Sequence, residues 1–360
     1  MSTPKTKILT NDALTRKKWA RDLFSVILPG VEFNYLTGTG KDAVVQINTD
    51  LSKGEGDEVT FGIRLPLTGT GVVGDATIEG NEEKLTFRNF KLTIEELNHA
   101  VDTGGKMEEQ RIPYDLMKEG KDGLQEWWIG KLNGLLINTL MGNSAYTFCG
   151  RLMSAAATAF ANVISEPTSN HHMFPNGKTA ESGLTAADTI DLTFLDAMKQ
   201  RAEIPLTNSF KIRPLKLKGK NYYRVLMHNY MFDMLRQNTN PGQWGDLRRA
   251  AGQFAMPEVE IEYNGMLVTK SEYVPRTVAG STDYEGVYRC ALLGAQAAVW
   301  AWGGAGDSKS TTMSFVPYTK DANRFMMVRG GGIFGMEAVS FTTSGDYGRV
   351  IGSLWAKKLD

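Results

Sequence analysis

Of the 360 residues, only two are cysteine and four are histidine. Two thiols, Cys149 and Cys290, cannot build a disulfide framework or a zinc site, and two buried thiols in a reducing compartment are expected of them. Neither sign of charge is in surplus, because forty lysines and arginines meet forty aspartates and glutamates. A tight grip on nucleic acid through phosphates normally needs a basic excess, so it is not expected as the main activity. A neutral chain also does little to repel copies of itself. Long apolar runs are missing too. No stretch reaches the ~18 uncharged residues of a membrane span, and Met1 to Trp19 lacks the apolar core of a signal peptide. Synthesis in a cytoplasm without membrane insertion is therefore expected. No internal repeat and no low-complexity tract is present.

Catalytic patterns are equally scarce. His171 and His172 stand in a polar loop with no carboxylate at metal-ligand spacing, which predicts a solvated pair and not a metal site. The other two histidines are His99 and His228. No serine sits in a nucleophile elbow, and neither cysteine has a recognisable base. Adjacent acids such as Glu82-Glu83 and Glu108-Glu109 read as solvated charge. Gly69-Thr-Gly-Val-Val-Gly74 matches a dinucleotide-binding fingerprint, but that chemistry needs a helix directly after the glycines. Asp75-Ala-Thr-Ile-Glu-Gly-Asn follows instead, with no helical period, so an exposed loop tip is the favoured reading. Gly330-Gly331-Gly332 is read as a turn between strands in preference to a phosphate nest. No catalytic residue, cofactor or metal is expected.

What the chain does contain is a long excursion between Lys41 and Gly142. Val59, Phe61, Ile63, Leu65 and Leu67 alternate as in a half-buried strand. Pro66 removes a ladder donor there and marks the strand as an edge, a place that invites another chain. A glycine-rich tip follows, then a second strand around Leu85–Arg88. From Ile112 to about Gly142 the pattern is helical, with Pro113 in the first turn and Leu124, Trp128, Leu132, Leu135, Leu136 and Leu140 forming a stripe. Some thirty residues at ~1.5 Å each give a rod of about 45 Å. Gly123, Gly130 and Gly134 near one face suggest a backbone crossing closely. An arm with no core of its own points to a surface supplied by another subunit.

Elsewhere, a short helix from Asn11 carries Trp19, Leu23 and Ile27 on one face and Arg16, Lys17, Lys18 and Arg21 on the other. Thr189–Glu203 reads as a helix with Leu192, Leu195 and Met198 on one side, and Tyr230–Gln237 as another. Strands are expected at Tyr222–Met227, Val259–Tyr263 and Met266–Thr269. Ala291–Ala301 looks fully buried, and Phe341–Trp355 reads as strand and turn.

Several segments together resemble the major capsid proteins of tailed bacteriophages, in the group typified by the N-four-like podoviruses. They are Lys18-Trp-Ala-Arg-Asp-Leu-Phe24, Asp57-Glu-Val-Thr-Phe-Gly-Ile-Arg64, Gly74-Asp-Ala-Thr-Ile-Glu-Gly-Asn-Glu-Glu83, Gly104-Gly-Lys-Met-Glu-Glu-Gln-Arg-Ile-Pro-Tyr-Asp115, Leu292-Leu-Gly-Ala-Gln296 and Asp346-Tyr-Gly348. The resemblance implies an α+β chain with the Hong Kong 97-type capsid fold. Residues 1–36 would be an N-terminal arm, 37–100 an extended β-hairpin loop, and 101–186 a peripheral domain with a spine helix over about 112–142. An axial domain would cover 187–320, and the strands of 321–360 would return to the peripheral domain. The implied function is an icosahedral shell of hexamers and pentamers around double-stranded DNA, found in the virion and made in the host bacterial cytoplasm. Portal, scaffolding or decoration proteins are possible partners, although no N-terminal scaffolding region is evident and no lysine–asparagine crosslinking pair stands out. Trp19, Leu23, Phe61, Ile63, Leu65, Asp75 and Glu79 are the expected intersubunit contacts. An encapsulin-like compartment is the alternative on the same fold, and a dinucleotide-dependent oxidoreductase built on Gly69–Gly74 is the alternative of another class.

Overall fold

The computed structural model describes residues 34–48, 57–64, 67, 71–75, 77–85, 87–111, 113, 115–143, 146–148, 151–152, 164–204, 211–217, 219–238, 240, 244, 259–279, 282–304, 313–321, 324–341 and 345–357. The expected helix carrying Trp19 and Leu23 lies outside these residues, as do Leu65, Pro66 and Cys149.

In chain order the main elements begin with β1 (Val45–Asn48), β2 (Glu58–Arg64), β3 (Phe87–Thr93) and β4 (Glu95–Gly105). Two helices follow, α1 (Lys106–Arg111) and α2 (Leu116–Met141), then the short β5 (His172–Met173) and α3 (Leu192–Glu203). Next are β6 (Leu215–Leu217), β7 (Lys220–His228), α4 (Asn229–Gln237), β8 (Ile261–Tyr263) and β9 (Met266–Ser271). The chain continues with β10 (Arg276–Ala279), β11 (Thr282–Leu293), β12 (Ala298–Trp302), β13 (Met313–Lys320), β14 (Phe325–Ala338) and β15 (Arg349–Trp355).

Two sheets organise the molecule. In the first, β1, β12, β14 and β13 lie side by side, with β4 also paired to β14. In the second the order is β8-β9-β7-β11-β15-β5, with β6 beside β7 and β10 beside β11. The buried run expected at Ala291–Ala301 is where the chain passes between them. It is the end of β11, a tight turn and most of β12, and only Gln296 in it is not fully buried. Gln296 takes a positive φ of 57° and donates its side-chain amide to Gln46 at 2.7 Å.

The rod expected over 112–142 is the single helix α2, which begins four residues later, at Leu116, and α1 precedes it as a separate short helix. Asp115, not Pro113, opens the long one: its carboxylate accepts from the Met117 and Lys118 amides at 2.9 and 3.4 Å, which starts the helix afresh after α1. The apolar stripe is buried as expected, with Leu124, Trp128, Leu132, Leu136 and Leu140 all fully enclosed. From Gly130 to Met141 every residue is buried, so the amphipathic surface helix becomes a core helix halfway along. Gly130 and Gly134 are among the enclosed residues. Gly123 opens to solvent, and the close crossing falls at Gly120, where an added Cβ would stand 2.7 Å from Thr103 Cγ2 on β4.

Gly330–Gly332 forms no turn. The three glycines lie in the middle of β14, paired with β13 on one side and β4 on the other. A Cβ on Gly330 would stand 2.7 Å from both Phe315 and Trp128, and one on Gly331 would run into the Asn98 side chain. The bare backbone therefore lets the α2 side chains rest directly on the sheet. Elsewhere the periodic readings hold, with small shifts of boundary. Leu192, Leu195 and Met198 are buried on α3, and β8 and β9 form a hairpin. The strand expected around Leu85–Arg88 is displaced to Phe87–Thr93.

Candidate intersubunit surfaces

Strands β2 and β3 form an isolated two-stranded hairpin, with Phe61 opposite Phe90 and Ile63 opposite Arg88. Its base is packed: Val59 and Phe61 lie half-buried against Phe90, Leu92, Val299, Ala301, Val339 and Phe341 of the same chain. Its far end is not. Seven large apolar side chains are exposed among the described residues, and five of them, Leu67, Val73, Ile78, Leu85 and Phe87, belong to this end of the hairpin. Val73 is 86 % exposed and Ile78 69 %. Such clustering is uncommon on the surface of a monomer and makes this end a candidate interaction site.

The tip nevertheless has local order. Asn81 donates its backbone N–H to the Ile78 carbonyl and its side-chain amide to Thr77, both at 2.9 Å, and Glu82 accepts from the Gly80 amide at 2.8 Å. The turn holds Ile78 and Glu79 outward. Asp75 and Glu79, two of the expected contact residues, are exposed here. Phe61 is partly covered by its own chain, and Ile63 lies in β2. Leu67, Val73, Ile78, Leu85 and Phe87 were not among the expected contacts. Their signal in the sequence is the presence of bulky apolar residues inside a glycine-rich, acidic loop.

The nucleotide fingerprint finds no support in the geometry. Gly71 and Gly74 have φ of +71° and +70°, the chain turns at Gly74–Asp75, and the next described helix begins only at Lys106. Gly69 lies outside the described residues, and among those described no helical amides converge there on a phosphate.

The second unusual region is buried. Helix α2 has no basic residue in its last turn, although its terminal carbonyls form the negative end of the helix dipole. Gly142, at φ 64°, returns its N–H to Asn138, and two arginines from the second sheet satisfy the rest. Arg349 on β15 donates to Thr139 O at 2.7 Å, and Arg289 on β11 donates to the Met141 and Gly142 carbonyls. Each guanidinium has a carboxylate partner. Arg349 Nε meets Asp346 at 3.0 Å, and both side chains are fully buried. Arg289 grips Glu181 with Nε at 2.8 Å and Nη2 at 3.2 Å. Asp346 also accepts from the Thr168 amide and hydroxyl at 2.9 and 3.0 Å.

His171 and His172 belong to this junction and are not solvated. His171 is 1 % exposed. His172 Nε2 lies 2.8 Å from the Ser353 hydroxyl, which donates to Glu181 at 2.6 Å. Burial, with Arg289 close by, pushes the His172 imidazole down to about 4, so it is neutral near pH 7. Burial would raise the Glu181 carboxyl, but the hydrogen bond and charge of Arg289 bring it below its ordinary value. A serine, a histidine and a carboxylate thus meet, but not as a nucleophilic triad. Glu181 contacts the serine instead of orienting the far ring nitrogen, and Ser353 is fully buried. Cys290 is likewise enclosed, with burial pushing its thiol up to about 12. Among the described residues no group of three or more His, Cys, Asp or Glu side chains could hold a metal ion, and no helix is long and apolar enough to cross a membrane.

Comparison with known proteins shows the family and the fold. The family model described as phage capsid protein matches residues 7–351. The major capsid protein of Pseudomonas phage KPP25 is 28% identical over 207 residues, 54% of this chain and 54% of that protein, so the alignment spans about half the length of the relative. Among solved structures, the capsid of Ralstonia phage GP4 superposes with a TM-score of 0.78 at 24% identity, covering 99% of this chain and 100% of that one. The capsid of cyanophage Pam1 gives 0.69 at 21% identity, covering 90% and 92%. These superpositions carry the Hong Kong 97-type capsid fold. The resemblance stands at the level of the family and not of its N-four-like group. An exposed apolar hairpin tip, a long helix locked into a second sheet and a family match over nearly the whole chain converge: the chain belongs to the phage capsid protein family, whose members are structural and not catalytic.

Proposed function

We propose that many copies of this chain assemble, as a major capsid protein, into an icosahedral shell of hexamers and pentamers enclosing double-stranded DNA. The observation that carries this is the placement of five exposed apolar side chains at one end of a hairpin whose base is packed. A monomer has no use for that surface, whereas a neighbouring copy can bury it. At ~25 cal/mol per Å², a few such side chains per contact, repeated around a shell, give many modest contributions. In this reading β2, β3 and the tip are the extended loop, α2 is the spine helix, and the second sheet with α3 and α4 forms most of the axial domain. Trp19, Leu23, Phe61, Ile63, Leu65, Asp75 and Glu79 remain contact candidates, joined by Val73 and Ile78. DNA contact is non-specific, in keeping with the balanced charge, and portal, scaffolding and decoration proteins are the expected further partners. Synthesis takes place in the host bacterial cytoplasm.

The test is expression of the full chain followed by negative-stain microscopy and nuclease treatment of purified particles. Closed shells, with protected DNA in those recovered from infected cells, are expected. A chain that stays monomeric at high concentration overturns the proposal, and shells loaded with protein cargo in place of DNA redirect it to a compartment.

A further inference from the structure

We infer that the hairpin tip of one copy docks, in a second copy, into two adjoining hollows that share Met173 and Arg201. The inference rests on the shell-forming proposal and names the receiving surface. The hollows, about 540 and 220 Å³, lie between the segment around β5 and the outer face of α3. Met173, Phe174, Ala197 and Ile204 supply apolar lining, while Lys178 and Arg201 supply positive charge. No acidic side chain is among the residues lining either one.

Three observations pair this surface with the tip. First, Ile204 is 66 % exposed and is one of only two large exposed apolar residues outside the hairpin end among those described. Second, the charges complement one another. The described tip carries Asp75, Glu79, Glu82 and Glu83 against the single base Lys84, around the apolar Val73 and Ile78, whereas the hollows hold Lys178 and Arg201 around an apolar floor. The acids beyond Ile204, Asp196 and Glu203, are engaged by Tyr263 and Lys199. Opposed potentials of this kind fix register and suppress wrong partners. Third, the tip and the hollow residues Lys178, Thr179 and Ile204 are exposed within one chain, so they do not meet internally. Seven-residue strands hold the tip about 24 Å from the hairpin base, within reach of a neighbour. Because the two surfaces differ, the contact is head-to-tail, the type that closes rings when the rotation fits.

The test uses the full chain with Ile78→Cys and Ile204→Cys in a Cys149→Ser background, assembled and treated with a short bismaleimide crosslinker. A ladder of dimers and higher multimers on a denaturing gel is expected, with no ladder from either single variant. Val73→Cys with Ile204→Cys serves as a second pair. Particles of normal shape that give no ladder from either pair overturn the docking. In parallel, Arg201→Glu is expected to lower particle yield by about tenfold or more and Arg201→Lys to spare it. Normal yield from Arg201→Glu also overturns the inference. Arg201 donates to Asn170 O at 2.9 Å, so the cysteine pairs, which leave it intact, keep the test independent of local folding. Absence of particles from the unsubstituted chain overturns the shell-forming proposal itself, a result distinct from particles without crosslinks.

Discussion

The two ends of this molecule invert the usual partition of side chains. At the hairpin tip, Val73 and Ile78 stand in water; at the end of α2, Arg289 and Arg349 stand in the core. Each inversion is balanced differently. The buried guanidiniums have carboxylates and helix carbonyls around them, all supplied by one chain. The described tip is ordered by turn hydrogen bonds, and its apolar groups Val73 and Ile78 stand exposed. On the proposed assembly, stability of the subunit and association of subunits would be carried by separate regions, and substitutions would break one without the other.

The largest expected loss of stability follows Arg349→Ala, which leaves Asp346 fully buried without its cation. About 3–5 kcal/mol is the usual cost of breaking such a pair, read as a large fall in the denaturant midpoint of the unassembled subunit. Acid should act on the same junction and on α4. His228, whose Nδ1 accepts from the Tyr230 amide at 3.1 Å, is pushed down to about 4 by burial, as is His172. Both imidazoles stay unprotonated in the fold where the unfolded chain would bind a proton. Stability should fall as pH drops from 6.5 to about 4, by up to a few kcal/mol in all. His228→Asn keeps a capping side chain and should flatten part of that slope in pH-dependent melts.

Gly330→Ala comes next. Its methyl group would meet Phe315, Trp128 and Leu124, and overpacking of this kind costs about 1–3 kcal/mol. Thermal unfolding of the subunit measures it, and an unchanged midpoint would show that α2 can lift from the sheet at little cost. The smallest change in stability, within about 0.5 kcal/mol, is expected for Val73→Asp with Ile78→Asp. Those substitutions should nevertheless abolish particles in negative stain. Normal particles from the double variant would erase the contrast between the two ends.

Local pattern reached as far as local causes do. The stripe on α2, the buried face of α3 and the alternation in β2 were legible because each is a period in neighbouring residues. The arginine junction was not. Arg349 and Thr139 are 210 residues apart, Arg289 and Glu181 108, and no spacing rule joins them. His171 and His172 looked solvated because their sequence neighbours are polar, but β15 covers them from far along the chain: Ser353, which meets His172, is 181 residues away. Gly330–Gly332 looked like a turn because glycine is punctuation in isolated chain. Here its small size serves a helix packed across it. The resemblance to capsid proteins supplied the fold that local reading alone did not. Even so, Val73 and Ile78 were passed over although the loop tip around them was read as exposed, because alternation in the neighbouring strand was the stronger local signal.

The pairing of β4 with β14 also has a mechanical side. Strand β3 runs into β4 with only Ile94 between them, and β4 lies antiparallel to β14 over nine paired positions from Phe325 to Phe334. A pull on the hairpin tip passes down β3 and along the axis of β4. The interstrand bonds then share the load together, in shear, instead of opening one after another like a zip. Strand β14 is held on its other side by β13 and β12, and α2 lies across it. Tension entering at the tip is thereby spread over a whole sheet before it reaches any single bond, which would suit the wall of the proposed shell.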